Sequence, residues 1–201
     1  MLNVFKEAAQ LVISGHASIE DVVIKFDIPK KTFKKYIFNH KYHKIMDMPI
    51  ILFDLNGTLC HRMHRNNIIL LRPHIEELKK LKKKYRVGVY TSCVRYNALV
   101  IIRAINKACG EEVFDPNLIF TREHNVPFTD FERLEYNIPD YQMKKSLSHI
   151  FIPKVINKTY VVDDEDVRVE EKDRVKRIPG WYNDNDNDTE LITLIDALLA
   201  A

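Results

Sequence analysis

The chain has 201 residues, enough for one α/β domain plus a small extra module, and its 46% hydrophobic and 29% charged residues are those of an ordinary globular protein. No apolar run approaches the roughly 20 residues that span a bilayer, the N-terminus lacks a secretory pattern, and Cys60, Cys93 and Cys109 form no CxxC pair. These features argue against a membrane partner, export or a disulfide framework, and set the expectation of a reduced intracellular compartment, cytoplasmic or nuclear.

In chain order, residues 3 to 44 read as helices. Val4, Ala8, Leu11 and Val12 give a first apolar face, Gly15 breaks it, and Ser18 with Asp21 forms a capping-box start for a second helix carrying Val22, Val23 and Phe26. Pro29 suits the first turn of a third helix. On it Phe33, Tyr36 and Ile37 face inward and Lys30, Lys31, Lys34 and Lys35 face solvent. Three short helices with a basic last one describe a small all-α helix-turn-helix module over residues 1–45. The stretch "GHASIEDVVIKFDIPKKTFKKYI" resembles Pipsqueak-type homeodomain-like modules, which implies DNA contact through those four lysines. The alternative is a helical bundle that docks a partner or the neighbouring domain, its lysines only solvated.

From Met48 the periodicity changes. "PIILFDL", "RVGVYT", "NLIF" and "TYVVDD" are short β-rich apolar runs separated by helical stretches such as "RPHIEELKKLKKKY" and "YNALVIIRAINKA". Strands alternating with helices predict an α/β fold with a parallel sheet flanked by helices, over residues 48–201. Ligands sit at the carboxyl ends of strands in such sheets, which singles out Asp54, Thr91 and the Asp163/Asp164 pair. An aspartate at a strand end before a glycine turn can act as a nucleophile towards phosphorus. The charge of the transferred group then asks for a hard cation with oxygen ligands, a lysine and a hydroxyl.

At these residues the sequence resembles the haloacid dehalogenase superfamily, and within it the FCP/SCP phosphatases of the RNA polymerase II C-terminal domain. "DLNGTL" is similar to the first motif DxDxT/V, "VYTS" to the second, "YQMKKSLS" to the lysine motif, and "YVVDDEDVRV" to the acidic fourth. The resemblance implies Asp54 as nucleophile, Thr91 and Ser92 with Lys145 or Lys144 as phosphate ligands, and Mg2+ held by Asp54, Asp163, Asp164 and the Asn56 backbone carbonyl. It also implies a phosphoprotein substrate. The compact fusion resembles phosphatase-like proteins of large DNA viruses.

Two residues depart from the family pattern. Asn56 stands where the family has its general acid, and Gly57 where the FCP/SCP group usually has glutamate. The sequence therefore leaves two functions open: a phosphatase slowed by Asn56, and a phosphate-binding pseudophosphatase in a nucleic-acid or transcription complex. In the segment between the second and third motifs, Phe128, Phe131, Tyr136 and Tyr141 line a groove or form a local core. "CHRMHR" falls one residue short of CxxxxxR and has no second ligand pair for zinc. "DNDNDTE" lacks the glycine and glutamate of a calcium loop and instead offers Asp188 as a cap for the last helix.

Overall fold

The computed structural model describes residues 2–39, 47–63, 68–182 and 186–201. Its centre is a five-stranded sheet, β1 (Ile50–Phe53), β4 (Arg86–Tyr90), β5 (Ile119–Phe120), β8 (Thr159–Asp163) and β9 (Val175–Arg177), in the spatial order β5-β4-β1-β8-β9. Every pairing is parallel. The continuous burial of β1 and β4 follows, because helices must cover both faces of a parallel sheet.

Alternation along β1 sorts the two layers. Ile51 and Phe53, with Val87, Val89 and Val162, join a core formed with α4 (Arg95–Cys109), α8 (Glu190–Ala200) and the helix Ile75–Lys83. Ile50 and Leu52, with Tyr90 and Val161, face α6 (Leu147–Ile150) and α7 (Pro153–Ile156). Two antiparallel pairs lie outside the sheet: β2 (Cys60–Met63) with β3 (Ile68–Leu71), and β6 (Val126–Pro127) with β7 (Met143–Lys144).

The stretch "IEELKKLKK", expected as an ordinary helix, winds as a 3-10 helix. Its buried residues Ile75, Leu78 and Leu81 recur every third position, and only a winding of three residues per turn stacks them in one row.

The N-terminal segment forms α1 (Leu2–Ile13), α2 (Ile19–Lys25) and α3 (Lys30–Asn39) around its own core, which includes Phe5, Ala8, Ala9, Val12, Val22, Phe33 and Ile37. The Ser18–Asp21 capping box is present. The buried face of α1 is one step rotated from the expected one, since Phe5 and Ala9 turn in and Val4 turns out. These helices pack on the sheet domain. Gly15, at φ +80°, presses so closely on α6–α7 that a Cβ would stand 2.8 Å from Phe151 Cδ1. The Arg86 guanidinium donates to the Ile13 carbonyl while pairing with Asp115 at 2.9 Å, and Gln10 donates to Asn117 at 2.6 Å. The expected linker around residues 44–48 lies largely outside the described residues.

Candidate active site

Strand order reverses at β1, whose neighbours β4 and β8 lead to opposite sides of the sheet. That switch point opens a crevice at the carboxyl ends of these three strands. The register pairs Phe53 with Val89 and with Val162, and the Asp54 N–H donates to the Val162 carbonyl at 2.9 Å. Asp54, Thr91 and Asp163 are thereby delivered to one place.

Oxygens of Asp54, Asp163 and Asp164 all lie within 4.8 Å of one another. Lys145 is buried with them, its Nζ 2.5 Å from Asp163 Oδ2 and 2.8 Å from Asp54 Oδ1. Burial alone would depress the Lys145 ammonium, but Asp163 and Asp54 outweigh it and hold the group above its ordinary range, so it remains a cation. Burial pushes the Asp163 carboxyl upward against the pull of Lys145. Three carboxylates and one ammonium leave a formal charge of −2. Asp54 Oδ1 is buried and accepts no well-aligned hydrogen bond, although Lys145 is within ion-pair reach. An all-oxygen cluster short of two positive charges fits a divalent magnesium ion.

Lys144 and Lys145 separate here. Consecutive residues of extended chain point to opposite sides, so Lys144 turns away and pairs with Glu132 at 2.7 Å and Glu170 at 3.8 Å. Its expected place beside the phosphate is not where the structure puts it. Lys145 is anchored from both ends of its peptide: its N–H donates to the Arg168 carbonyl, and its own carbonyl accepts from Glu170. The buried Tyr90 hydroxyl accepts from the neighbouring Ser146 N–H at 2.9 Å, and burial pushes that phenol up to about 12.

The turn after β1 carries Asn56, whose side chain reaches two cysteines. Its Nδ2 donates to Cys93 Sγ at 3.1 Å, and its Oδ1 accepts from the Cys60 thiol at 3.6 Å. Thr91 is buried, and its Oγ1 accepts from the Cys93 N–H at 3.3 Å, which leaves its own proton to give. Ser92 Oγ accepts from Asn125. Asp164 Oδ1 accepts from Thr58 at 2.9 Å, and its Oδ2 accepts from the Tyr182 hydroxyl. Burial and that carboxylate push the Tyr182 phenol above its ordinary range, so it stays a donor.

Two supports were missed in the sequence. Arg72, fully buried, donates to the Thr58 carbonyl at 3.0 Å and forms a two-pronged pair with Asp188 at 2.9 Å. Asp188 is expected from the sequence to cap the last helix, but the cap position is held by Thr189; Asp188, one residue earlier, accepts from the Glu190 N–H, and its partnership with Arg72 ties the last helix to the turn after Asp54. The second is Tyr182. Of the four insertion aromatics, only Phe128 is buried, while Phe131, Tyr136 and Tyr141 are exposed. Lys30, Lys31, Lys34 and Lys35 are all exposed on α3, and Lys30 pairs with Glu20 at 2.6 Å. His64, Arg65 and Asp184 fall outside the described residues.

A five-stranded parallel sheet flanked by helices, with carboxylates and a lysine gathered at its strand ends, defines a phosphatase domain of the haloacid dehalogenase type. Within that class, the chain belongs to the NLI interacting factor-like phosphatase family, whose model matches residues 49–201. No curated protein matches it. The fold is similar to a structure of the fission yeast RNA polymerase II CTD phosphatase Fcp1 bound to beryllium fluoride (13% identity, TM-score 0.50), covering 81% of this chain and 53% of that one. It is likewise similar to Fcp1 described as an essential RNA polymerase II CTD phosphatase (14% identity, TM-score 0.50), covering 81% and 52%. The chain thus spans about half the length of those two structures.

Proposed function

We propose that this protein is a magnesium-dependent phosphatase that forms an aspartyl phosphate on Asp54, with phosphoserine or phosphothreonine of a protein as substrate. The observation that carries the proposal is the convergence of Asp54, Asp163, Asp164 and Lys145 within one buried cluster. Magnesium would be held by Asp54, Asp163, Asp164 and the Asn56 backbone carbonyl, and would neutralise phosphate charge. The Lys145 ammonium, 2.8 Å from Asp54 Oδ1, aligns the Asp54 carboxylate for attack. Thr91 and Ser92 offer hydroxyls to phosphate oxygens.

An Asp54 oxygen attacks phosphorus and the ester P–O bond breaks, releasing the substrate alkoxide. Water then attacks phosphorus, giving a proton to solvent; the P–O bond to Asp54 breaks, inorganic phosphate leaves and the carboxylate is restored. Asn56 has no proton to give the leaving oxygen, so solvent must supply it. Loss of general acid–base catalysis is worth about 10²- to 10⁴-fold, or roughly 3 to 5 kcal/mol of barrier. The second step needs the same assistance, whereas an aryl leaving group needs little, so with an aryl phosphate the phosphoenzyme accumulates. The test is to quench the protein with acid after mixing it with an aryl phosphate and magnesium, then map any hydroxylamine-labile phosphate by mass spectrometry. Label on Asp54 supports the proposal, and label on another residue contradicts it.

A second reading, a pseudophosphatase that binds phosphate without turning it over, is favoured by the Asn56 amide lying between two thiols. Binding of an aryl phosphate without labelling would select it.

The exposed Lys30, Lys31, Lys34 and Lys35, together with the Pipsqueak-like pattern, support DNA binding by the first three helices. Electrophoretic mobility shift across a salt series tests this. Replacing Lys31 and Lys34 with Gln should flatten the slope of log affinity against log salt by about 2. An unchanged slope would contradict it.

A further inference from the structure

Asp164 is held at both oxygens, by Thr58 on one and by Tyr182 on the other. The Tyr182 contact depends on an unusual local design. Gly57 sits at φ +82°, and a Cβ there would stand 2.6 Å from the Tyr182 hydroxyl and 2.8 Å from Asp164 Cγ. A side chain at position 57 would occupy the space in which phenol and carboxylate meet. Gly180 supplies clearance on the other side, since its Cβ would lie 2.5 Å from Tyr182 Cε2. The Trp181 N–H donates to the Gly57 carbonyl at 2.7 Å and pins the two segments together. The ring of His61 stands edge-on to Tyr182, with centroids 6.1 Å apart.

We infer that Tyr182 is a positioning residue for the cation site: its hydroxyl, admitted by Gly57, locks the Asp164 carboxylate in the orientation a small divalent ion requires. This rests on the magnesium reading above and adds a residue that acts through Asp164. A carboxylate hydrogen-bonded at both oxygens cannot swing, yet each oxygen keeps a lone pair for a metal. Outer partners of this kind typically contribute 10- to 100-fold in metal affinity. The lock serves magnesium above all, because Mg2+ demands near-ideal octahedral geometry, whereas Ca2+ accepts flexible coordination. Gly57, anomalous against the phosphatases this chain resembles, thereby acquires a reason.

The experiment is calorimetric titration of the full chain and of Tyr182→Phe with Mg2+ alone and with Ca2+ alone. Removing one oxygen from a half-exposed side chain spares the packing, and thermal melting checks that it has. The expected result is a Mg2+ dissociation constant raised at least tenfold with the Ca2+ constant changed less than twofold, so that selectivity falls. A general structural loss would shift both ions alike. Equal Mg2+ affinity in the two proteins, or an equal shift for both ions, would overturn the inference and leave the magnesium reading standing. Absence of Mg2+ binding by the wild type would remove both.

Discussion

Replacing Lys145 with Met removes the ammonium that faces the Asp54 and Asp163 carboxylates at 2.8 and 2.5 Å while keeping the side-chain volume. Two carboxylates with oxygens no more than 4.8 Å apart repel by about 3 kcal/mol at an effective dielectric of about 20. Breaking one partner of a buried pair costs about 3 to 5 kcal/mol, and the two figures agree. At pH 7 without metal, the variant should therefore unfold in urea with stability lowered by about 3 to 5 kcal/mol, equivalent to roughly 10 °C in melting temperature for a chain this size. Protonating a carboxylate or adding a divalent cation relieves the repulsion, so acidification to about pH 5 or millimolar magnesium should recover much of the loss. Aryl phosphate turnover should disappear even where stability is recovered. A loss below about 1 kcal/mol, unaffected by pH and magnesium, would refute the charge argument.

Arg72→Met leaves the Thr58 carbonyl unpartnered and partly buried Asp188 with the Glu190 N–H but no cation; denaturant unfolding should show about 3 to 5 kcal/mol lost, and adding Asp188→Leu should restore part of it. Gly15→Ala combines a left-handed backbone with a collision against Phe151, so thermal melting should fall by roughly 5 to 15 °C. Glu132 is held at about 2 by its hydrogen bond to Lys144 and by the Thr129 cap. Because its folded value lies below the ordinary 4.5, its contribution is present above pH 4.5 and is lost as pH falls through about 2. A carboxyl NMR titration should show that low value, and Lys144→Met should return it towards the ordinary range.

The strand-end residues were legible because a parallel strand is a continuous apolar run, and Asp54, Thr91 and Asp163 each stand where such a run stops. Which of Lys144 and Lys145 enters the site was not legible, since it depends on the side to which a two-residue strand turns. Tyr182 and Arg72 escaped for a different reason. Their partners Asp164 and Asp188 lie 18 and 116 positions away, and no local periodicity records such pairings. The docking of the first three helices was open in the sequence only as an alternative, and its contacts were not legible, because they rest on Gly15 and on the capture of the Ile13 carbonyl by Arg86. Glycine at that point reads in sequence only as a helix stop.

The most direct test of the central claim is hydrolysis of an aryl phosphate with magnesium by the wild type, Asp54→Asn and Asn56→Asp, all checked for folding. The account predicts slow turnover in the wild type, none in Asp54→Asn, and a rate raised by about 10²- to 10⁴-fold in Asn56→Asp. Turnover that survives Asp54→Asn would contradict it.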